Sequence, residues 1–145
     1  MISPSEWLTI FPRSRALDPD ASTWGHKGYG EVWLNGSNDW VYRHQHRAEE
    51  RMVELARLRR GAKGAMRRAL GQAARELLLL QSSDWAFLLH AGTAAAYARR
   101  RVEDHVARFA LLADGLERGK VAARALRDIE SRDTLFGEID ASVYA

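Results

Sequence analysis

The side chains in this sequence best suited to chemistry are tryptophans on a glycine-rich segment. The stretch STWGHKGYGEVWLN, residues 22–35, places Trp24 and Trp33 nine positions apart. Indole rings can stack on the C–H faces of pyranose sugars while nearby amides and carboxylates bond to the hydroxyls. The same rings can instead fix an irregular segment onto a core. On composition alone the second interpretation is favoured.

An acidic residue in the motif SSDW, Asp84, also has two interpretations. Asp is a good helix-capping residue, and the polar run SSD precedes an apolar stretch. Its carboxylate could instead accept hydrogen bonds from the hydroxyl groups of a ligand. Local sequence leaves both roles open.

The histidines show no spacing that is typical of a metal site. His44 and His46 lie two apart, so on a helix they point to nearly opposite faces; His44 falls on an apolar stripe and His46 should face water. His26, His90 and His105 form no HExxH pattern. We therefore expect no metal site.

No self-contained catalytic site is evident. The chain has no GxSxG elbow, and its carboxylate pairs at 49–50 and 103–104 lie beside arginines, as on a solvated helix face. The motif GHKGYG at 25–30 lacks the preceding strand and following helix of a dinucleotide site. The sequence predicts no catalytic residue and no cofactor in this chain.

Composition narrows the class of protein. A chain of 145 residues fits one domain, and the absence of cysteine suits a cytoplasmic protein. No apolar run approaches the roughly 20 residues that span a bilayer, and the N-terminus does not resemble a signal peptide. The pI near 9.6 could indicate a protein that binds nucleic acid. A net charge of only +3 is more typical of a protein whose helices expose arginine-rich faces to water.

The chain divides into three parts. Residues 1–36 hold all three prolines and form a glycine- and aromatic-rich arm. Within it SPSEWL predicts a short helix in which Ser3 and Glu6 cap each other and Pro4 takes the first position. EVWLN suggests a short extended piece. Residues 37–131 are predicted to be helical, with Ser37 or Asn38 as the first cap, and residues 132–145 to be an irregular tail.

The helical part shows apolar stripes at three- and four-residue spacing. The first stripe consists of Trp40, His44, Ala48, Met52, Leu55 and Leu58. The second consists of Met66, Ala69, Leu70, Ala73, Leu77 and Leu80. A third, in a later long helix, consists of Val102, Val106, Phe109, Ala113 and Leu116.

Two shorter segments complete the predicted helices. SDWAFLLHAGT indicates a short buried central helix, and VAARALRDIESR a last short one. We expect the tail to be anchored by Leu135, Phe136, Ile139 and Tyr144. The fold class predicted is an all-α bundle of about four or five helices carrying an irregular aromatic N-terminal arm.

Several motifs in order resemble a known family. The segments STWG, GEVWLNGSNDWVYRHQHRAEERM, RALGQAARELLLLQSSDWAFLLHAGTAAAYARRRVEDHVARF and FGEIDASVY resemble the C-terminal helical domain of the glycoside hydrolase family 57 branching enzymes, which are 1,4-α-glucan branching enzymes. SPSEWL resembles the junction that enters this domain. The resemblance spans essentially the whole chain, and GHKGYG diverges slightly from the family's loop.

The resemblance implies a function for the three residues singled out above. In that family the helical domain packs against a distorted (β/α)7 barrel and forms one wall of the active-site cleft. The matching positions imply that Trp24 and Trp33 contact α-1,4-glucan and that Asp84 makes a further contact with the donor glucan. The family's catalytic Glu and Asp lie on the barrel, so no residue here inherits either role.

We therefore expect a glucan-contacting domain, separate or truncated from its barrel, that is inactive in branching by itself. Two other classes stay open. One is a helical protein-interaction or assembly module whose tryptophans serve structure. The other is an arginine-rich nucleic-acid binder, which the modest charge disfavours.

Overall fold

The helices of the computed structural model, which describes all 145 residues, follow one another with short connections, except that residues 11–38 separate the first helix from the second. They are α1 (Pro4–Ile10), α2 (Asp39–Leu58), α3 (Gly64–Leu80), α4 (Ser83–Ala91), α5 (Ala95–Glu117) and α6 (Ala123–Arg132), before a 3₁₀ helix at Ala141–Tyr144. There is no strand. Helices α2 to α6 form the bundle, with α5 packed against α2, α3 and α4, so the predicted all-α bundle is confirmed.

The capped short helix near the N-terminus is confirmed as α1. The Ser3 hydroxyl oxygen accepts a hydrogen bond from the Glu6 backbone N–H at 3.2 Å, and the Ser3 N–H donates to Glu6 Oε2 at 2.7 Å. Pro4 occupies the first position. No residue of α1 is buried, although Trp7 and Phe11 stack on each other with ring centroids 4.3 Å apart.

The extended piece expected at EVWLN is wrong: residues 31–35 form turns. The N–H groups of Trp33 and Leu34 both donate to the carbonyl of Gly30, at 2.9 and 3.0 Å. An extended segment needs a neighbouring strand to pair its backbone groups, and the molecule has none. Local turn hydrogen bonds satisfy them instead.

The stripe expected on α2 is correct except at His44 and Leu58; Trp40 is partly buried and packs against the core. His44 and Leu58 are exposed, and the buried side of the first turns is formed by Val41 and Gln45. Steps of four residues advance about 40° beyond a full turn, so a chain of such steps rotates off the core. Counting back from Met52, positions 48, 45 and 41 stay on the buried side, whereas position 44 turns toward solvent.

The stripes expected on α3 and α5 are confirmed, because mixed three- and four-residue steps keep their members on one face. Together with α2 they supply most of the core. Its largest fully buried apolar side chains are Val41, Met52, Leu55, Leu77, Leu80, Val102, Leu112, Leu116 and Leu126. This core fixes the ends of α2 and α4, where the aromatic arm attaches.

Two shorter segments differ from expectation. Helix α4 is not buried all round: Trp85, Ala86 and Leu89 face inward while its other side is more open. In the tail, Ile139 packs against the core but Leu135 and Phe136 are exposed. The tail also ends in a 3₁₀ helix, at whose start the Asp140 carboxylate accepts from the Ser142 N–H at 3.0 Å.

Replacing each of two helical glycines with alanine should change the stability of the protein in opposite directions. A Cβ on Gly115 would lie 2.8 Å from Val121 Cγ2 and 3.1 Å from the Lys120 carbonyl oxygen, so Gly115→Ala should destabilise the protein by about 1–3 kcal/mol. Gly71 has nothing within 4 Å of that position, so Gly71→Ala should stabilise by roughly 0.5–1 kcal/mol. Urea denaturation measures both. Shifts of the same sign would contradict the contrast.

Candidate functional site

Three aromatic rings meet at the surface where the arm crosses α4. The Trp24 ring centroid lies 6.1 Å from that of Trp33 and 5.8 Å from that of Phe87, and Trp33 and Phe87 are 6.5 Å apart. We call Trp24, Trp33 and Phe87 the aromatic cluster. Trp24 is 70% exposed, whereas the other two are half-buried. A large indole is thus held in water on a platform of two other rings.

Hydrogen bonds within the arm hold the two tryptophans together. The indole N–H of Trp33 donates to the Trp24 carbonyl at 3.0 Å, and the Tyr42 hydroxyl donates to the Trp33 carbonyl. Partial burial raises the pKa of the Tyr42 phenol above its ordinary value. Trp33 therefore has its polar N–H engaged internally and offers only its ring to a ligand.

The glycine content of the arm has a structural cause at Gly25. Its φ is +90°, in the left-handed region that L side chains rarely adopt. A Cβ there would also lie 3.0 Å from Val32 Cγ2, and Val32 is the buried residue of the arm's turns. Gly25 thus lets the backbone turn directly after Trp24 and return toward Trp33.

One buried side chain, Asn38, joins the arm to the bundle. Its amide oxygen accepts from the Asn35 N–H at 2.8 Å. Its amide nitrogen donates to the Val32 carbonyl at 3.0 Å and to the Ala86 carbonyl of α4 at 3.1 Å. Asn38 is also the first cap of α2, as expected, but its side chain makes no capping bond to that helix. Asn38 thus connects the turn that precedes Trp33 to the helix that carries Phe87.

Asp84 lies in the first turn of α4, and the capping interpretation is wrong. The N-cap is Ser82, which itself makes no side-chain capping bond. The Asp84 carboxylate is exposed and has no partner within the chain. Asp84 precedes Phe87 by three residues, so the two side chains are neighbours on one helix face. A free acceptor therefore stands beside the aromatic cluster.

The structure brings Trp24 and Trp33 into contact and places Asp84 on the same surface through Phe87. Phe87 was missed by sequence reasoning, although its position three residues after Asp84 could have indicated it. The neighbouring Trp85 points the other way: it is buried, and its indole N–H donates to the Leu79 carbonyl at 2.8 Å. Two aromatic residues only two positions apart on α4 thus face different surroundings.

A second feature that sequence reasoning missed is a buried pair of ionisable groups. Glu76 and His105 are both 0% exposed, and His105 Nδ1 lies 2.7 Å from Glu76 Oε2. Gln72 Nε2 donates to the other Glu76 oxygen at 2.8 Å, and an Arg101 nitrogen lies 3.1 Å from His105 Nε2. The pair has no access to solvent, so its role is in the core and not at a site.

Two further observations concern the kinds of site this chain could hold. The structure brings together no group of three or more His, Cys, Asp or Glu side chains that could hold a metal ion. None of the helices combines the length and apolarity needed to cross a bilayer.

The fold and this surface define a helical accessory domain with an exposed aromatic cluster. Residues 44–144 match the family model described as "1,4-alpha-glucan branching enzyme, C-terminal". The chain therefore belongs to the family of C-terminal domains of 1,4-α-glucan branching enzymes. The resemblance noted from the sequence is thereby confirmed.

Comparison with individual proteins leads to the same family. The chain is 38% identical over 130 residues to the 1,4-α-glucan branching enzyme TK1436 of Thermococcus kodakarensis, matching 87% of this chain and 19% of that protein. The crystal structure of TK1436 in complex with glucose and additives matches with a TM-score of 0.92 at 33% identity, covering 99% of this chain and 27% of that one. The chain thus spans about a fifth of the curated relative.

Two more solved structures share the fold. The family 57 type branching enzyme of the archaeon Pyrococcus horikoshii matches with a TM-score of 0.90 at 36% identity, covering 99% of this chain and 28% of that chain. The α-amylase AmyC of Thermotoga maritima matches with a TM-score of 0.80 at 35% identity, covering 99% and 26%. In each case this fold is part of a much longer protein.

Proposed function

We propose that this domain contacts α-1,4-glucan for a branching enzyme. Trp24 and Trp33 stack on sugar rings, and Asp84 accepts hydrogen bonds from sugar hydroxyls. The complete assembly cleaves an α-1,4 bond and transfers the chain to a 6-hydroxyl, in the synthesis of glycogen or a similar glucan. The catalytic carboxylates belong to a barrel outside this chain, so the domain acts by positioning substrate.

The observation that carries this proposal is the exposure of Trp24 on a built platform. A tryptophan that served only to anchor the arm would bury its ring, yet Trp24 is 70% exposed while Trp33 and Phe87 support it from below. A flat apolar face beside a carboxylate without a partner complements a pyranose, which has C–H faces and hydroxyl edges. The cluster is therefore suited to a sugar ligand.

The partner is a catalytic barrel, upstream or on another chain. Helix α1 has no buried residue and exposes Trp7, Leu8 and Ile10, and Phe11 directly after it is exposed as well. Contiguous apolar side chains of this kind mark a surface that is covered by another body. Relatives several times longer than this chain supply one. The absence of cysteine is compatible with a reducing cytoplasm.

Binding of malto-oligosaccharides tests the proposal. Tryptophan fluorescence of this chain should change on titration with maltohexaose at millimolar concentrations. Trp24→Ala should weaken binding about tenfold, since stacking and ring burial contribute roughly 1–2 kcal/mol. Asp84→Asn, which keeps the shape but removes the charge, should weaken it less.

Trp7→Ala is the matched control, because Trp7 is also an exposed tryptophan but lies on α1. It should bind as the wild type does. No response to maltohexaose, or equal losses in Trp7→Ala and Trp24→Ala, would contradict the glucan role. Either result would instead favour the protein-interaction or assembly module, in which these rings pack against another protein.

A further inference from the structure

A concave surface lies on another part of the molecule, away from the aromatic cluster. A groove of about 770 Å³ is formed by the turn between α2 and α3, one face of α3, α6 and the tail. Its basic lining residues are Arg59, Arg60, Lys63, Arg67, Arg68 and Arg75. We call it the basic groove. It lies at the C-terminal end of α2, about 30 Å from the arm, because α2 has 20 residues.

Half of these cations are already engaged in holding the fold together. Arg59 Nε donates to the Leu116 carbonyl in the last turn of α5 at 2.7 Å. Arg75 donates to the carbonyls of Leu135 and Asp133, both at 2.7 Å. Arg75 also donates to the side-chain amide oxygen of Gln72 at 2.9 Å. All of these acceptors are uncharged oxygens, so none of them neutralises the positive charge of the two guanidiniums.

Arg68 pairs with Glu130, and this is the one ion pair among the basic lining residues. It leaves the charge of the other five uncompensated by a direct carboxylate contact.

The other half have no partner. Arg60, Lys63 and Arg67 make no side-chain hydrogen bond or ion pair, and all three are exposed at the groove. The acidic lining side chains are Glu130, Glu138 and Asp140. Six basic side chains against three acidic ones leave an excess of three positive charges in one concavity. Like charges in a concave surface raise the local potential and attract anions.

The lining also indicates which anion fits. It contains no aromatic side chain, so nothing offers a stacking surface to a nucleobase. Guanidinium groups, in contrast, bind phosphate oxygens bidentately, and three unpartnered cations suit a ligand with more than one phosphate charge. We propose that the basic groove binds a compact oligophosphate through Arg60, Lys63 and Arg67, independently of the glucan surface.

Isothermal titration with inorganic pyrophosphate at fixed ionic strength tests this site. Arg60→Gln/Arg67→Gln should weaken pyrophosphate binding at least tenfold. Arg13→Gln/Arg15→Gln is the control: it removes the same charge from exposed arginines outside the groove and should bind within twofold of wild type. Pyrophosphate should also raise the melting temperature of the wild type and the control but not of the groove variant.

Three results would overturn the proposal. One is that pyrophosphate gives no binding heat and raises the melting temperature no more than sodium chloride does at the same ionic strength. Another is equal weakening in both double variants, which would show general charge attraction. The third is steeply salt-dependent binding of a DNA duplex without any response to pyrophosphate. Maltohexaose binding should be unchanged in all variants, so this test is independent of the glucan proposal.

Discussion

Replacing Glu76 with leucine is expected to lower the free energy of unfolding by about 3–5 kcal/mol, more than any surface substitution in this chain. The carboxylate is 0% exposed and accepts from both His105 and Gln72, at 2.7 and 2.8 Å. Its removal leaves two buried nitrogens, His105 Nδ1 and Gln72 Nε2, without their acceptor. Urea denaturation followed by circular dichroism measures the loss.

Two further variants separate the ion pair from simple loss of a side chain. Glu103→Leu removes a carboxylate from the exposed side of α5, where its only ion pair, with Arg99, is 4.0 Å long, and should change stability by less than about 0.5 kcal/mol. Glu76→Leu combined with His105→Phe should be more stable than Glu76→Leu alone, because the second change removes the stranded partner. A loss below about 1 kcal/mol in Glu76→Leu would contradict this account.

Replacing Asn38 with leucine is expected to cost about 2–4 kcal/mol and to release the arm. The side chain is fully buried and makes three hydrogen bonds, to the Asn35 N–H and to the Val32 and Ala86 carbonyls. Leaving such groups unpaired costs about 1–3 kcal/mol each, partly relieved where water enters. Because one of the bonds crosses to α4, the packing of Trp24 against Phe87 should loosen as well.

Near-ultraviolet circular dichroism and urea denaturation check these two effects together. The aromatic signal should decrease in Asn38→Leu even below the unfolding transition. Ser37→Ala is the control, since the Ser37 hydroxyl bonds only to Asn35 on the exposed side, and it should change stability by less than about 0.5 kcal/mol. An unchanged aromatic spectrum in Asn38→Leu would show that the arm is positioned by other contacts.

Regular helices of this protein could be predicted because periodicity and capping are local signals. The stripes of α3 and α5 and the cap formed by Ser3 and Glu6 depend on residues at most four apart. The burial of Gln45 on α2 could not be predicted, since a glutamine at that position is typical of a surface residue. It is buried because its amide nitrogen donates to the Leu80 carbonyl at 3.0 Å, 35 residues away.

The candidate site was predictable in its residue types and not in its geometry. Contact between Trp24 and Trp33 depends on a positive φ at Gly25 and on the buried amide of Asn38, and neither follows from spacing. Phe87 joins them only because the arm crosses α4. The contact between Glu76 and His105 likewise joins two helices across 29 positions, so no local sequence pattern predicts it.

The location of the core residues has a consequence for how the sequence of this domain can evolve. Every member of the hydrophobic cluster lies between Val41 and Ala141, so Trp24 contributes nothing to it. Under the proposed function, mutations at the exposed tip of the arm should therefore alter which ligand is bound while the folded population stays constant. Binding and stability would then depend on largely separate sets of positions, and such a module can acquire a new ligand preference without first losing its fold.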